Sequence, residues 1–150
     1  MSTQRIIRQA EISVFIHATE DRARVLKAVR NLFPRDAEFP NYNETVLDGY
    51  FGDPIDTLSF QVKNRRPATE LFDYVIQSLS SLDYVALLDE LPQRIDETKN
   101  LYLRLDKQKA FLGKLVLEKH DAIRVKFSLL VPHKVNPAEH LREYLEKTRG

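Results

Sequence analysis

Apolar residues occur at every second position near the start of the chain, between residues 10 and 18. This spacing places them on one face of a strand, because successive side chains of a strand point to opposite sides. Thr19 follows as a candidate N-cap, and the two acidic residues after it suit the positive end of a helix dipole. We therefore predict a strand at 10–18 and a helix from Thr19 to about Leu32, ended by Pro34.

The next part of the chain predicts a hairpin and then two helices. Residues 44–50 and 56–63 are strand candidates, separated by a Gly-Asp-Pro turn. Apolar residues then recur at helical spacing over residues 67–79, with a proline in the first turn. One serine of the pair at 80–81 is the candidate cap of a second, short helix, which we expect Pro92 to stop.

The pattern then changes to alternation between apolar and polar residues, in three separate runs. These runs predict a meander of three antiparallel strands. A final helix opens at Asn136-Pro137, since proline suits the first position of a helix. The three runs cover residues 101–106, 114–118 and 123–130, with turns near 107–109 and 119–121.

The predicted order of elements is β-α-β-β-α-α-β-β-β-α. Strands cluster in hairpins rather than alternating strictly with helices, which favours the α+β class over the α/β class. We expect one domain over residues 1–150, a mostly antiparallel sheet, and helices packed on one face of it. The other face is then partly open to solvent. The terminal helix, at residues 136–148, is expected either to pack on the domain or to reach a neighbour.

Composition narrows the class of protein. The 150 residues include no cysteine, which excludes disulfide scaffolds and thiolate metal sites. Neither a membrane-spanning apolar run nor a secretory signal is evident, so we expect a cytoplasmic protein. The sequence contains no Gly-rich phosphate loop, no Gly-x-Ser-x-Gly elbow and no His-Glu-x-x-His motif. We therefore expect no enzymatic activity and no cofactor.

Charge is distributed unevenly, although the net charge is only +1. Residues 51–98 carry a net charge of −5, and residues 99–126 carry +5. If the leucine-rich side of the meander meets the helices, its other side interleaves basic and aromatic residues. That mixture suits RNA, because cations neutralise phosphates and rings stack on unpaired bases. An ordinary solvated surface is the alternative. The candidate contacts are Tyr102, Arg104, Lys107, Gln108, Lys109, Lys114, Arg124 and Lys126, with Phe15 and His17 added if the first strand pairs nearby.

A second candidate site lies where the first strand meets the first helix. His17, Glu20 and Asp21 combine an imidazole with two carboxylates, the residue types of a metal or acid–base site. The alternative is structural, since acidic residues at a helix start are favoured by the helix dipole. The other three histidines show no metal-ligand spacing.

Three segments, taken together, resemble a family of small archaeal proteins described as predicted RNA-binding proteins and candidate exosome subunits. They read HATED and KAVRNL within residues 17–32, GYFGDPI at 49–55, and LYLRLDKQKAFLG and DAIRVK within 101–126. The resemblance implies an α+β fold similar to that of the ribosomal protein that binds 5S RNA in the large subunit. It also implies a cytoplasmic setting and a link to RNA processing or degradation. It carries over no catalytic residue.

We therefore predict a non-catalytic protein that holds single-stranded or irregular RNA on its open sheet face, as an accessory subunit of an RNA-processing machine such as the exosome. The first alternative is a protein-interaction subunit that docks a basic partner through its acidic helical middle. Segregated charge would also allow a dimer to form. The third hypothesis is a small hydrolase or metal-dependent enzyme centred on His17, Glu20 and Asp21.

Overall fold

A computed structural model describes residues 6–48 and 54–150 of the chain. None of the helices in this part is both long and apolar enough to cross a membrane. The elements are β1 (Ile7–Ile16), α1 (Arg22–Arg30), β2 (Tyr42–Asp48), β3 (Pro54–Val62), α2 (Arg65–Ser78), α3 (Ser81–Arg94), β4 (Asn100–Asp106), α4 (Lys107–Phe111), β5 (Ala122–Leu129) and α5 (Pro137–Thr148).

The five strands form one antiparallel sheet in the order β2-β3-β1-β5-β4. Its register places Ile12 of β1 between Phe60 of β3 and Val125 of β5. All three side chains are buried, whereas their neighbours along each strand are at least partly exposed. One face of the sheet is therefore core and the other is open, as the alternation predicts. The predicted α+β class, with a mostly antiparallel sheet, is confirmed.

The predicted hairpin is present, since β2 pairs with β3 along the whole length of β2, from Tyr42 opposite Phe60 to Asp48 opposite Pro54. The Gly-Asp-Pro turn and most of the GYFGDPI segment fall within residues 49–53, outside the described residues.

Helices α2 and α5 pack together over the buried face. Phe72 of α2 meets Phe127 of β5 edge to face, with ring centroids 5.0 Å apart, and lies 6.1 Å from the ring of Tyr144 in α5. The Tyr144 hydroxyl donates a 2.7 Å hydrogen bond to Asp73 of α2. The terminal helix thus contributes to the core rather than projecting from it.

Helix α3 does not stop at Pro92, contrary to the sequence prediction, and runs on to Arg94. A proline inside a helix has no N–H to donate, which leaves the carbonyl four residues earlier without its helical partner. That carbonyl belongs to Leu88, and Arg142 of α5 donates to it at 2.6 Å. A tertiary contact thereby replaces the missing hydrogen bond, and α3 is as long as α2.

Helix α1 begins later than predicted, because Asp21 and not Thr19 is its N-cap. The Asp21 side chain accepts a 2.9 Å hydrogen bond from a backbone N–H of the first turn. Glu20 instead lies in a turn, where its N–H donates to the carbonyl of His17 at 2.9 Å. Two consecutive acidic residues therefore have different roles, which composition cannot separate.

The predicted meander is wrong in its middle strand. Residues 107–111 form the short helix α4, capped by Asp106, and the segment after it contributes an isolated bridge between Leu105 and Leu117. Strand β4 pairs directly with β5. Leu115 is nonetheless buried, so the alternation in this segment reports burial without a strand.

Candidate nucleic-acid interface

The exposed side of β1, β4 and β5, here called the open face, holds four of the eight residues predicted to contact RNA. Tyr102 lies opposite Lys126, and Arg104 lies opposite Arg124. Lys126 also lies opposite Glu11 of β1. The open face consists of Glu11, Ser13, Phe15, Tyr102, Arg104, Arg124 and Lys126.

Arg104 and Arg124 are direct cross-strand partners, and both are exposed. Like charges opposite each other destabilise a sheet. The Arg124 guanidinium lies over the Phe15 ring, 4.6 Å from its centroid, and Arg104 donates to the carbonyl of Lys119 at 3.2 Å. Each guanidinium carries five N–H donors. Two fixed guanidinium groups therefore present donors side by side to an anionic ligand.

The Tyr102 ring is held on the open face by its hydroxyl. The hydroxyl donates a 2.8 Å hydrogen bond to Asp96, which also accepts from the backbone N–H groups of Thr98 and Asn100. Desolvation alone would raise the pKa of Asp96, but these hydrogen bonds together hold it well below its usual range. The hydrogen bond to Asp96 in turn raises the pKa of Tyr102. Tyr102 is therefore a neutral, 43% exposed ring in a fixed position.

Asp96 was not among the residues predicted to belong to a site. The available signal was its position in an Asp-x-Thr-x-Asn run just before a strand, a pattern typical of an aspartate that hydrogen-bonds the backbone two residues on. Nothing in that run indicates that Tyr102 would reach the same carboxylate.

The other four predicted contacts lie off the open face. Lys107 is only 5% exposed, and its ammonium donates to the carbonyl of Phe15 at 2.8 Å and to the carboxylate of Glu20 at 3.0 Å. A lysine held in this way supports the fold and has no free ammonium for a phosphate. The remaining three are exposed, on or just after α4: Gln108, Lys109 and Lys114.

Lys107 belongs to an ion cluster with His17, Glu20 and Asp121. Oδ1 of Asp121 lies 3.2 Å from the Lys107 ammonium and 3.1 Å from Nε2 of His17. Three potential metal-ligand atoms lie within 4.8 Å of one another, one each from His17, Glu20 and Asp121, which is close enough for a metal site. Because the ammonium already pairs with both carboxylates, the geometry favours an ion-pair network over a metal centre. Asp21 is not part of the cluster, since it caps α1.

Some acidic residues in the middle of the chain make contacts within the fold instead of facing a partner. Oδ2 of Asp83 accepts a 3.0 Å hydrogen bond from the N–H of Leu117, and Glu90 pairs with Arg94 at 2.7 Å. The acidic surface that α2 and α3 offer to a partner is therefore weaker than their composition indicates.

Comparison with known proteins shows which family the chain resembles. A family described as RNA binding matches residues 9–129, which extend from β1 to the end of β5. RNA-binding protein PAB1135 of Pyrococcus abyssi is 36% identical over 140 residues, covering 90% of this chain and 91% of that protein.

Two solved structures of DUF54 proteins share the fold at 31% identity. Protein AF2318 of Archaeoglobus fulgidus aligns with a TM-score of 0.79, over 91% of this chain and 98% of that one. Mth689 of Methanothermobacter thermautotrophicus aligns with a TM-score of 0.77, over 93% and 98%. The chain therefore belongs to the RNA binding family, and the relatives named here are archaeal.

Proposed function

We propose that this protein binds single-stranded or irregular RNA on its open face and catalyses no reaction on it. The observation that carries the proposal is the pairing of Arg104 with Arg124 across adjacent strands. Two like charges in this position cost stability in the free protein. A polyanion that lies across both would remove that cost, and membership of an RNA-binding family supports RNA as the polyanion.

The open face offers two kinds of contact. Arg104, Arg124 and Lys126 would neutralise phosphates and release counterions, while Tyr102 would stack on an unpaired base. Glu11, opposite Lys126, is acidic and would repel phosphates on its side of these cations. The four contact residues form two cross-strand pairs on β4 and β5. A surface of this size suits a few nucleotides of unpaired RNA rather than a long duplex.

The test is a fluorescence-anisotropy titration of a short labelled single-stranded RNA at several salt concentrations. Three phosphate contacts predict a log–log salt slope of about −2, since each contributes about −0.7 on a single strand. Arg104→Gln and Lys126→Gln should each bring the slope closer to zero by about 0.7.

Arg66→Gln is the matched control, because Arg66 is exposed on α2 and pairs with Glu70. We expect it to leave the slope unchanged. Absence of binding at low salt, or an equal effect of Arg66→Gln, would reject the open face as the RNA-binding surface.

We further propose that the protein acts in the cytoplasm as an accessory subunit of RNA processing or degradation, in association with the exosome. The resemblance of residues 101–126 to candidate exosome subunits supports this step. Co-purification from native extract, with and without nuclease, tests it. Exosome subunits that are retained after nuclease would support direct association. A different, basic protein retained in their place would instead favour docking through the acidic residues of α2 and α3.

A further inference from the structure

A pocket of about 330 Å³ opens at one end of the open face, next to the loop that precedes β5. Small-molecule sites commonly range from about 300 to 1,000 Å³, so the pocket has room for one nucleotide unit. Its lining includes Phe15, His17, Arg104, Lys119, Asp121 and Arg124.

The charge of the pocket favours an anion. Arg104, Lys119 and Arg124 bring three positive charges to it, and Asp121 brings one negative charge. All four residues are exposed. The carbonyl of Lys119 accepts a hydrogen bond from Arg104, and this contact holds the loop before β5 against β4 at the edge of the pocket. A phosphate group matches this arrangement.

The pocket also has a flat, polarisable surface. The Arg124 guanidinium rests over the Phe15 ring at 4.6 Å, so its plane is supported before any ligand arrives. Unpaired bases stack on guanidinium planes as well as on aromatic rings. An inorganic phosphate would make no use of this surface, whereas a nucleotide would.

Asp121 adds a hydrogen-bond acceptor. The hydrogen bonds that the described residues make to its carboxylate, from His17 and Lys107, both end on Oδ1. Oδ2 is therefore left to accept from a ligand. Desolvation raises the pKa of Asp121, but the two hydrogen bonds and the nearby charges of Lys107 and His17 together lower it by more, so the carboxylate is ionised at neutral pH. An ionised carboxylate only accepts hydrogen bonds, and bases and ribose both carry donors.

We propose that this pocket binds one unpaired nucleotide of the RNA. Its phosphate contacts Arg104 and Lys119, and its base stacks on the face of the Arg124 guanidinium that Phe15 does not cover. The in-plane N–H groups of Arg124 stay available to a neighbouring phosphate. A donor of the base or ribose bonds to Asp121. This inference rests on the proposed function and adds a defined nucleotide subsite to it.

The test is an NMR titration of the full chain with adenosine 5′-monophosphate, and separately with inorganic phosphate. We expect saturable shifts of the backbone amides of residues 119–124 with the nucleotide, and weaker binding of phosphate alone. Arg124→Lys keeps the charge and removes the planar group. It should weaken nucleotide binding about tenfold, the loss typical of one base stack, and change phosphate binding little.

Arg66→Lys makes the same replacement on α2, away from the pocket, and should change neither titration. Equal affinities for phosphate and nucleotide, or no effect of Arg124→Lys, would overturn the inference. Titration with an octameric RNA separates the two proposals. Shifts confined to Tyr102 and Lys126 would support RNA binding and reject the pocket, whereas no shifts at all would reject both.

Discussion

Lys107 and Glu20 are 87 residues apart in the sequence and meet in an ion pair of 3.0 Å. The same ammonium donates to the backbone carbonyl of Phe15, whose ring supports Arg124 on the open face. The buried ammonium of Lys107 therefore holds the end of β1 against α4. It also fixes the backbone of Phe15, a residue of the proposed RNA interface, from the side of the sheet away from RNA.

Replacement of this lysine should cost stability. Lys107→Met leaves two carboxylates and a carbonyl without their cation, and breaking a buried pair commonly costs 3–5 kcal/mol. The loss should be smaller here, about 2 kcal/mol, because the side chains of Glu20 and Asp121 are 26% and 54% exposed. Urea denaturation measures it. Lys109→Met on the exposed side of α4 is the control and should change stability by less than about 0.5 kcal/mol. Similar losses in both variants would show that Lys107 has no special role.

Tyr102 should contribute to RNA affinity through its ring and not through its hydroxyl. Tyr102→Leu removes the stacking surface and should weaken binding of a single-stranded RNA by about 1–3 kcal/mol. Tyr102→Phe keeps the ring and loses only the hydrogen bond to Asp96, so most of the affinity should remain. Fluorescence anisotropy at fixed salt compares the two variants. Equal losses would mean that the hydroxyl, or the position that Asp96 gives the ring, is what RNA requires.

Arg104 should be a residue whose removal stabilises the free protein. Arg104→Gln ends the like-charge pairing with Arg124 and should raise the free energy of unfolding by about 0.5 kcal/mol, while RNA binding weakens. The variant also loses the hydrogen bond to the carbonyl of Lys119, but that contact is exposed, so water replaces it at little cost. Lys126→Gln is the contrasting variant, because Lys126 faces Glu11 and its loss should lower stability slightly. Urea denaturation of the two variants measures whether each one raises or lowers the free energy of unfolding. Destabilisation by Arg104→Gln would remove the main support for an anionic ligand.

Asp73 gives a prediction about pH. Burial raises the pKa of its carboxyl above the ordinary value, although the hydrogen bond from Tyr144 lowers it in part. A raised folded-state pKa adds stability below the ordinary aspartate pKa of about 3.9, and this stability is lost as pH rises through the folded-state value. Asp73→Asn, which resembles the protonated acid, should therefore stabilise the protein at neutral pH.

The gain from Asp73→Asn should shrink as the solution is acidified to about pH 3, where the wild-type carboxyl is itself protonated. Urea denaturation at the two pH values measures this difference. Asp89→Asn, on the exposed side of α3, is the control and should show no such pH dependence. A gain that does not depend on pH would attribute the effect to packing instead of to the charge.

Local sequence signals were sufficient for β1, β4 and β5, where one face of each strand meets the core. The alternation around Ile12, Val125 and Leu103 predicts both the strands and the side of the sheet that is buried. The same alternation places Tyr102, Arg104, Arg124 and Lys126 on the open side. The alternation of apolar and polar residues carries this information because successive side chains of a strand point to opposite faces. The residue next to a buried one therefore lies on the open side.

Signals of the same kind failed where long-range partners decide the outcome. Alternation around Leu115 and Leu117 predicts a strand, yet Asp106 caps a helix just before it and β4 pairs with β5 instead. Pro92 predicts a helix end, yet Arg142 binds the carbonyl that the proline leaves without a partner. Both corrections depend on contacts that a local window of sequence does not contain.

The amino-acid sequence by itself determined the α+β class, the buried face of the sheet and a basic, aromatic open face, since these follow from short-range periodicity and residue type. Only the tertiary structure decided that Lys107 is a buried ion-pair partner of Glu20. It also decided that Asp121 rather than Asp21 joins His17 and Glu20, and that Arg104 faces Arg124. The physical reason is that charges act through space. A lysine and a carboxylate pair according to their distance in the fold, which chain separation does not specify.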